Sequence, residues 1–197
     1  MSNKLTIIIG KTYSGKTTYM NNKFNPNSIV KTHTTRPVRP TELGNEYHFE
    51  SDELYQLKKK NGIVVSPREY NTEFGIWSYW VEMEDIEKLQ NPVMILDLEG
   101  AKQLVNFITI HNLDLDYKVL YINTSLDEIN LRINESHRGA TEKLSETQRR
   151  LKSDIAEHRI LDLLVNSKKR VVDITLLILG NRVWTWEQFL KREIKLT

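Results

Sequence analysis

The apolar residues of this chain gather into four short continuous runs: Leu5 to Ile9 (LTIII), Val93 to Leu96 (VMIL), Val119 to Ile122 (VLYI) and Ile174 to Leu179 (ITLLIL). Runs this short and this rich in branched side chains fit strands buried on both faces. The first ends at Gly10 and the second at Asp97. Mixed stretches between them read as helices: from about Gly15 to Asn22, from Gly100 to about His111, and a long polar one from Glu142 to about Asn166. Two more helices are marked by their starts. Ser125 with Glu128, and Thr185 with Gln188, have the three-residue spacing of a capping box. Strands alternating with helices predict an α/β fold with a parallel sheet covered on both faces. From Lys31 to Gln90 the pattern changes. That segment is polar, rich in Pro, Tyr and Trp, and reads as short strands with one helix (Asp52 to Lys60), a subdomain inserted into the parallel core.

Composition narrows the picture mainly by exclusion. A chain of 197 residues suits one α/β domain with modest insertions. Its 28 basic and 26 acidic residues leave a net charge of +2, which makes no case for nucleic acid or an acidic membrane as partner. Lys58-Lys59-Lys60 and Lys168-Lys169-Arg170 read as solvated helix ends. There is no cysteine, so a disulfide framework and a thiolate metal site are both excluded, and a reducing cytoplasm fits. The apolar run in MSNKLTIIIG is too short for a signal peptide or a membrane span. His33, His48, His111, His137 and His158 are scattered, and no pair has metal-ligand spacing.

Chemistry enters at the end of the first run. Gly10-Lys11-Thr12-Tyr13-Ser14-Gly15-Lys16-Thr17 satisfies G-x-x-x-x-G-K-[ST] at every defined position, between a buried strand and a helix that takes in Thr18. The glycines permit backbone geometry that lets successive N–H groups point at phosphate oxygens. Lys16 brings positive charge to the β- and γ-phosphates, Thr17 offers a hydroxyl to Mg²⁺, and the helix adds the positive end of its dipole. The ligands predicted are therefore ATP and Mg²⁺. Further on, Arg36 and Arg39 stand three apart with Tyr47 nearby, a set able to grip a monophosphate by charge-assisted hydrogen bonds.

The segment Thr32 to Glu42, followed by Tyr47-His48-Phe49, resembles the acceptor-binding segment of the guanylate kinase family, T-T-R-x-x-R-x-x-E and then Y-x-F. Ile95-Leu96-Asp97-Leu98-Glu99-Gly100-Ala101 resembles the family's L-D-x-D-x-Q-G-A turn, two residues shorter. Arg138-Gly139 resembles its lid turn, and Arg150-Leu151 the end of that lid. The resemblance implies a P-loop NTPase three-layer parallel sheet in one domain: core 1–30, 91–133 and 151–197, monophosphate-binding insert 31–90, helical lid 134–150. It implies ATP-dependent phosphorylation of GMP or dGMP. Thr32, Arg36, Arg39, Glu42, Tyr47 and the Phe74-Gly75 pair would bind the acceptor. Arg132, Arg138 and Arg150 would neutralise charge on the transferring group, with Asp97 organising Mg²⁺ waters or an arginine. Asn181 would lie near the adenine, with Asn166 the competing match.

Departures concentrate where the family reads the base. Val65 stands where a carboxylate is expected, Ile76 replaces a small hydroxyl residue, and Phe74 replaces a tyrosine. Glu69 and Glu99 are the candidate substitutes for the lost carboxylate. Two other readings stay open: a kinase of a different nucleoside or deoxynucleoside monophosphate, and a guanylate-kinase-like binding module without catalysis, against which the intact Gly15, Lys16 and Thr17 argue. The aromatics Tyr70, Phe74, Trp77, Tyr79 and Trp80 could stack on a base or pack the insert. Monomer and homodimer are both compatible with the sequence.

Overall fold

The computed structural model describes residues 3–39, 42–44, 46–72, 74–135, 144–165 and 171–175. In chain order it forms β1 (Lys4–Ile9), α1 (Lys16–Lys23), β2 (His33–Thr34), β3 (His48–Phe49), α2 (Asp52–Lys60), β4 (Val65–Thr72), β5 (Gly75–Val81), α3 (Met83–Glu87), β6 (Val93–Ile95), α4 (Leu98–Ile110), β7 (Asp116–Ile122), α5 (Leu126–Glu135), α6 (Leu144–Leu164) and β8 (Val171–Asp173). Among the described residues no helix is long and apolar enough to cross a membrane.

Three of the four apolar runs become strands of one sheet, ordered β6-β1-β7-β8. Thr6 N donates to the Pro92 carbonyl and Leu96 N to the Ile8 carbonyl. Both partners advance in the same direction, so β1 and β6 are parallel. Leu5, Ile7, Ile8, Ile9, Val93, Met94 and Val119 are completely buried, as continuous branched runs require. Just before the fourth run the chain forms a strand, Val171–Asp173, that pairs antiparallel with β7 through Leu120–Asp173, Tyr121–Val172 and Ile122–Val171. Asp173 ends it: its carboxylate accepts from Thr175 N at 3.0 Å and turns the chain. Ile174 and Thr175 follow the strand, and Leu176 to Leu179 lie outside the described residues.

The second sheet is ordered β3-β2-β5-β4. Its helix is α2, with the bounds the sequence predicts. Ser51 Oγ accepts from Leu54 N at 3.2 Å, Asp52 and Glu53 occupy the first turn, and the lysines occupy the last. Those lysines are not simply solvated: Lys58 pairs with Glu50 at 2.8 Å and Glu82 at 2.7 Å, and Lys59 with Glu69 at 3.0 Å. At α5, Ser125 Oγ accepts from Glu128 N at 3.2 Å, the expected cap.

Contacts group the chain into two compact units. One holds Met1–Thr6, Phe24–Met94 and Glu99–Tyr117; the other holds Ile7–Lys23, Ile95–Leu98 and Lys118–Thr197.

Candidate active site

The loop from Gly10 to Thr17 belongs to the second unit. Gly10 has φ 153°. A Cβ there would lie 2.8 Å from the Ser14 hydroxyl and 3.0 Å from the Ile122 carbonyl, so only glycine allows so close an approach to β7. Tyr13 also has positive φ, at 61°. Its ring packs on Ile129, Ile133 and Leu151, which holds a conformation that a side chain disfavours. Thr124 Oγ1 donates to the Ser14 carbonyl at 2.8 Å. Thr17 and Thr18 are exposed at the start of α1.

Lys16 Nζ donates to the Gly10 and Lys11 carbonyls at 2.7 and 2.8 Å. Burial pushes its ammonium down to about 8; Asp154 opposes the fall, Arg150 adds to it, and Asp97 opposes it more weakly. Lys11 turns elsewhere. Its buried Nζ donates to Tyr121 Oη at 2.8 Å and Asp162 Oδ1 at 2.7 Å, so its part in the loop is played by backbone. Burial and the Asp162 carboxylate push the Tyr121 hydroxyl far up. Arg132 donates from Nη1 to the Tyr13 carbonyl at 2.9 Å and from Nη2 to Glu128.

Thr12 N donates to Asp154 Oδ2 at 2.5 Å. Asp154 lies on α6 in the row Thr147, Leu151, Asp154, His158, Leu161, whose other members are all buried. A carboxylate therefore occupies a loop amide of the kind the motif offers to phosphate. Arg138, Gly139, Asn166, Asn181, Thr185, Gln188, His137 and the run Lys168 to Arg170 lie outside the described residues.

The acceptor candidates lie in the first unit. Arg36 is 2% exposed. Its Nη1 and Nη2 fork onto Glu42 at 3.0 and 2.9 Å, and Nη1 also donates to the Pro37 carbonyl at 2.8 Å. Glu42 further accepts from Arg39 N at 3.0 Å. The Arg36 guanidinium stands over the Tyr47 and Phe49 rings at 5.3 and 5.4 Å. Glu42's hydrogen bonds and charge raise the Arg36 pKa against the burial that would lower it; burial opposes, but the Arg36 bond leads the fall in Glu42's.

Register decides which residues share that face. Thr34 pairs with Phe49 and with Tyr79, and Tyr79 with Arg68. Cross-strand partners project to one face. Phe49, Thr34, Tyr79 and Arg68 thus form a row, with Tyr79 edge-on to Tyr47 and to Tyr70. Glu69 pairs with Ser78 and projects to the other face, where it accepts from Tyr55 Oη at 2.8 Å and Lys59 at 3.0 Å. The alternation is set by an irregularity between Val65 and Arg68, where Ser66 has φ 53°. Ser66 Oγ donates to the Gly100 carbonyl at 2.7 Å, tying the start of α4, which carries Glu99, to β4. Glu99 contacts Gln103 and Lys102 at 3.5 and 3.7 Å. Phe74 is exposed at the β4–β5 turn and stacks on Trp77. Trp80 packs between Tyr55 and His33 inside the unit.

A family model for guanylate kinase matches residues 2–174. The chain belongs to the guanylate kinase family. Among solved structures, the guanylate kinase from Anaplasma phagocytophilum is similar, at 20% identity over 85% of this chain and 96% of that one, with a TM-score of 0.44. No curated protein matches. As a guanylate kinase the chain is an ATP-dependent nucleoside monophosphate kinase, and its reaction transfers a phosphoryl group from ATP to GMP.

Two features of this guanylate kinase escaped the sequence reading. Asp154 carried a signal, a charged residue on the buried row of an otherwise polar helix. Arg68 carried none, because its face depends on the irregularity at Ser66; Tyr79 was already among the candidate aromatics, and only its face was hidden.

Proposed function

We propose that the Gly10–Thr17 loop holds the donor ATP and that the Arg36 face holds the acceptor, with core 1–30, 91–133 and 151–197, insert 31–90 and lid 134–150 as its working parts. The observation that carries this reading is the Arg36–Glu42 fork. Of five guanidinium hydrogens, three go to Glu42 and Pro37, which leaves Nε and one Nη2 hydrogen for a phosphate. Glu42 sets the direction of the grip, and Arg39 and Tyr47 complete it. Thr32 and Glu99 read the base: Glu69 is committed to Tyr55 and Lys59, and Val65 is buried and apolar.

Phosphoryl transfer needs positioning and charge neutralisation rather than a covalent catalyst. Loop amides and Lys16 orient the donor phosphates. Arg132, Arg138 and Arg150 balance charge on the moving group, and Asn181, with Asn166 as competitor, lies near the adenine. The Thr17 hydroxyl and Asp97 carboxylate are hard oxygen donors of the type Mg²⁺ takes. When bound, Mg²⁺ supplies further charge neutralisation at the phosphates. The acceptor phosphate is already nucleophilic, so no side chain serves as general base. Closure of insert and lid keeps water from the donor. A cytoplasmic setting, where both nucleotides are available, suits this role.

Replacement of Lys16 by Ala tests the assignment. Turnover is expected to fall well over tenfold, about 1.4 kcal/mol or more, while thermal melting stays near wild type. A variant retaining more than about a tenth of the rate would overturn the role given to Lys16.

A further inference from the structure

The face of the second sheet opposite Arg36 gathers side chains that sequence spacing keeps apart. His33 and His48 are 15 positions apart but are register partners in the parallel β2–β3 pair. Their ring centroids lie 4.6 Å apart. Asp85, from α3, comes to the same place. Both nitrogens of the buried His33 face carboxylates: Nδ1 lies 2.5 Å from Glu50 Oε1, and Nε2 lies 2.8 Å from Asp85 Oδ2.

A neutral imidazole has one N–H to give. Donation from Nδ1 to Glu50 leaves the Nε2 lone pair against a carboxylate oxygen, two acceptors at contact distance. Something positive must lie between them, either a second proton or a metal ion. Local charge favours a cation. Glu50, Glu82 and Asp85 bring three carboxylates to His33, and Lys58 bonds only the first two. Lys88 reaches Asp85 no closer than 3.9 Å.

We propose that His33 Nε2, His48 and Asp85 form a site for a divalent transition metal of the zinc class, with water completing the shell on the side of the exposed His48. One ligand atom from each residue lies within 4.8 Å of the others. Two imidazoles and a carboxylate select zinc-like ions over Mg²⁺, which prefers all-oxygen shells. Glu50 orients the ring through Nδ1 and is itself held by Lys58, the outer support that metal-binding histidines usually have. Ligand distances of about 2.0–2.1 Å would bridge the present Nε2–Oδ2 gap at about 86°, and about 0.6 Å of movement would bring that pair to the tetrahedral angle, with the exposed His48 ring turning in from within 4.8 Å. Lys16, Thr17 and Asp97 take no part in this site. Metal there would clamp β2, β3 and α3 together.

The test uses untagged, metal-stripped protein with Co²⁺ and Zn²⁺ as probes. Visible absorption reports Co²⁺ geometry, a chromophoric chelator competes for Zn²⁺, and thermal melting reports the clamp. Wild type is expected to take up one equivalent of either metal, to give the strong bands of a low-coordinate cobalt site, and to melt higher with Zn²⁺. His48→Ala removes an exposed ligand and leaves the His33 network in place; it should weaken Zn²⁺ binding at least about tenfold and abolish the melting shift. His111→Ala, an exposed histidine on no strand, should behave as wild type. Equal Zn²⁺ binding in wild type and His48→Ala would overturn the proposal. So would wild type with no uptake below about 100 μM, a bound free energy weaker than about 5.5 kcal/mol.

Discussion

Asp154 holds a loop amide that the proposed donor site offers to ATP, so replacing it by Asn should tighten ATP binding. Its bond to Thr12 N measures 2.5 Å and is charge-assisted, a type that contributes about 1.5–3 kcal/mol. The asparagine carbonyl still accepts from that N–H, at the roughly 1 kcal/mol of a neutral bond. The carboxylate that ATP must displace is thus weakened by about 0.5–2 kcal/mol, equivalent to about 2–30-fold in Kd. The Asp154 charge also raises the Lys16 pKa. Titration should therefore be done at two pH values well below 8, so that any change in Lys16 charge shows as a pH dependence of the difference. Calorimetric titration of ATP with Mg²⁺, without acceptor, gives the constant, and thermal melting verifies the fold. Weaker ATP binding in Asp154→Asn, or a change under about twofold, would refute the reasoning and make Asp154 a partner of the bound nucleotide.

Other expectations follow from the same geometry. Burial pushes the Lys16 ammonium down to about 8. The charged form is the one that attracts phosphate, so ATP affinity should hold below pH 8 and fall toward tenfold per unit above it, read from Kd against pH. Gly10→Ala forces a Cβ against Ser14 Oγ and the Ile122 carbonyl and should lower stability by about 1–3 kcal/mol in urea unfolding, together with turnover. Glu99→Ala should cut the kcat/KM preference for GMP over AMP by about tenfold to a hundredfold, whereas Glu69→Ala should leave that ratio unchanged; the reverse result would move base reading to Glu69.

The parts legible in the sequence were those fixed by local chemistry. The LTIII run, the G-x-x-x-x-G-K-T loop and the Asp52-to-Lys60 helix each declare themselves within about ten residues. What was hidden depends on tertiary register. Nothing local to Glu69 tells that the irregularity at Ser66 turns it toward Tyr55 while Arg68 takes the Arg36 side. His33 and His48 meet only because β2 and β3 run parallel. The strand at Val171–Asp173 was equally hidden, since Val171-Val172 and Ile174 are strand formers of similar strength. The aromatics of the insert could not be sorted in advance, and they divide by face: Tyr70 and Tyr79 beside Arg68, Trp80 against Tyr55.

Helix α6 meets the Gly10–Thr17 loop in two chemically different ways. Asp154 and Asp162, eight positions apart, take the Thr12 amide and the Lys11 ammonium, and Leu151 packs in the cluster that seats the Tyr13 ring. At the proposed donor site a phosphate competes only with Asp154. Asp162 and Leu151 keep their contacts, so the loop would exchange one anionic partner for another while its anchorage to α6 stays in place.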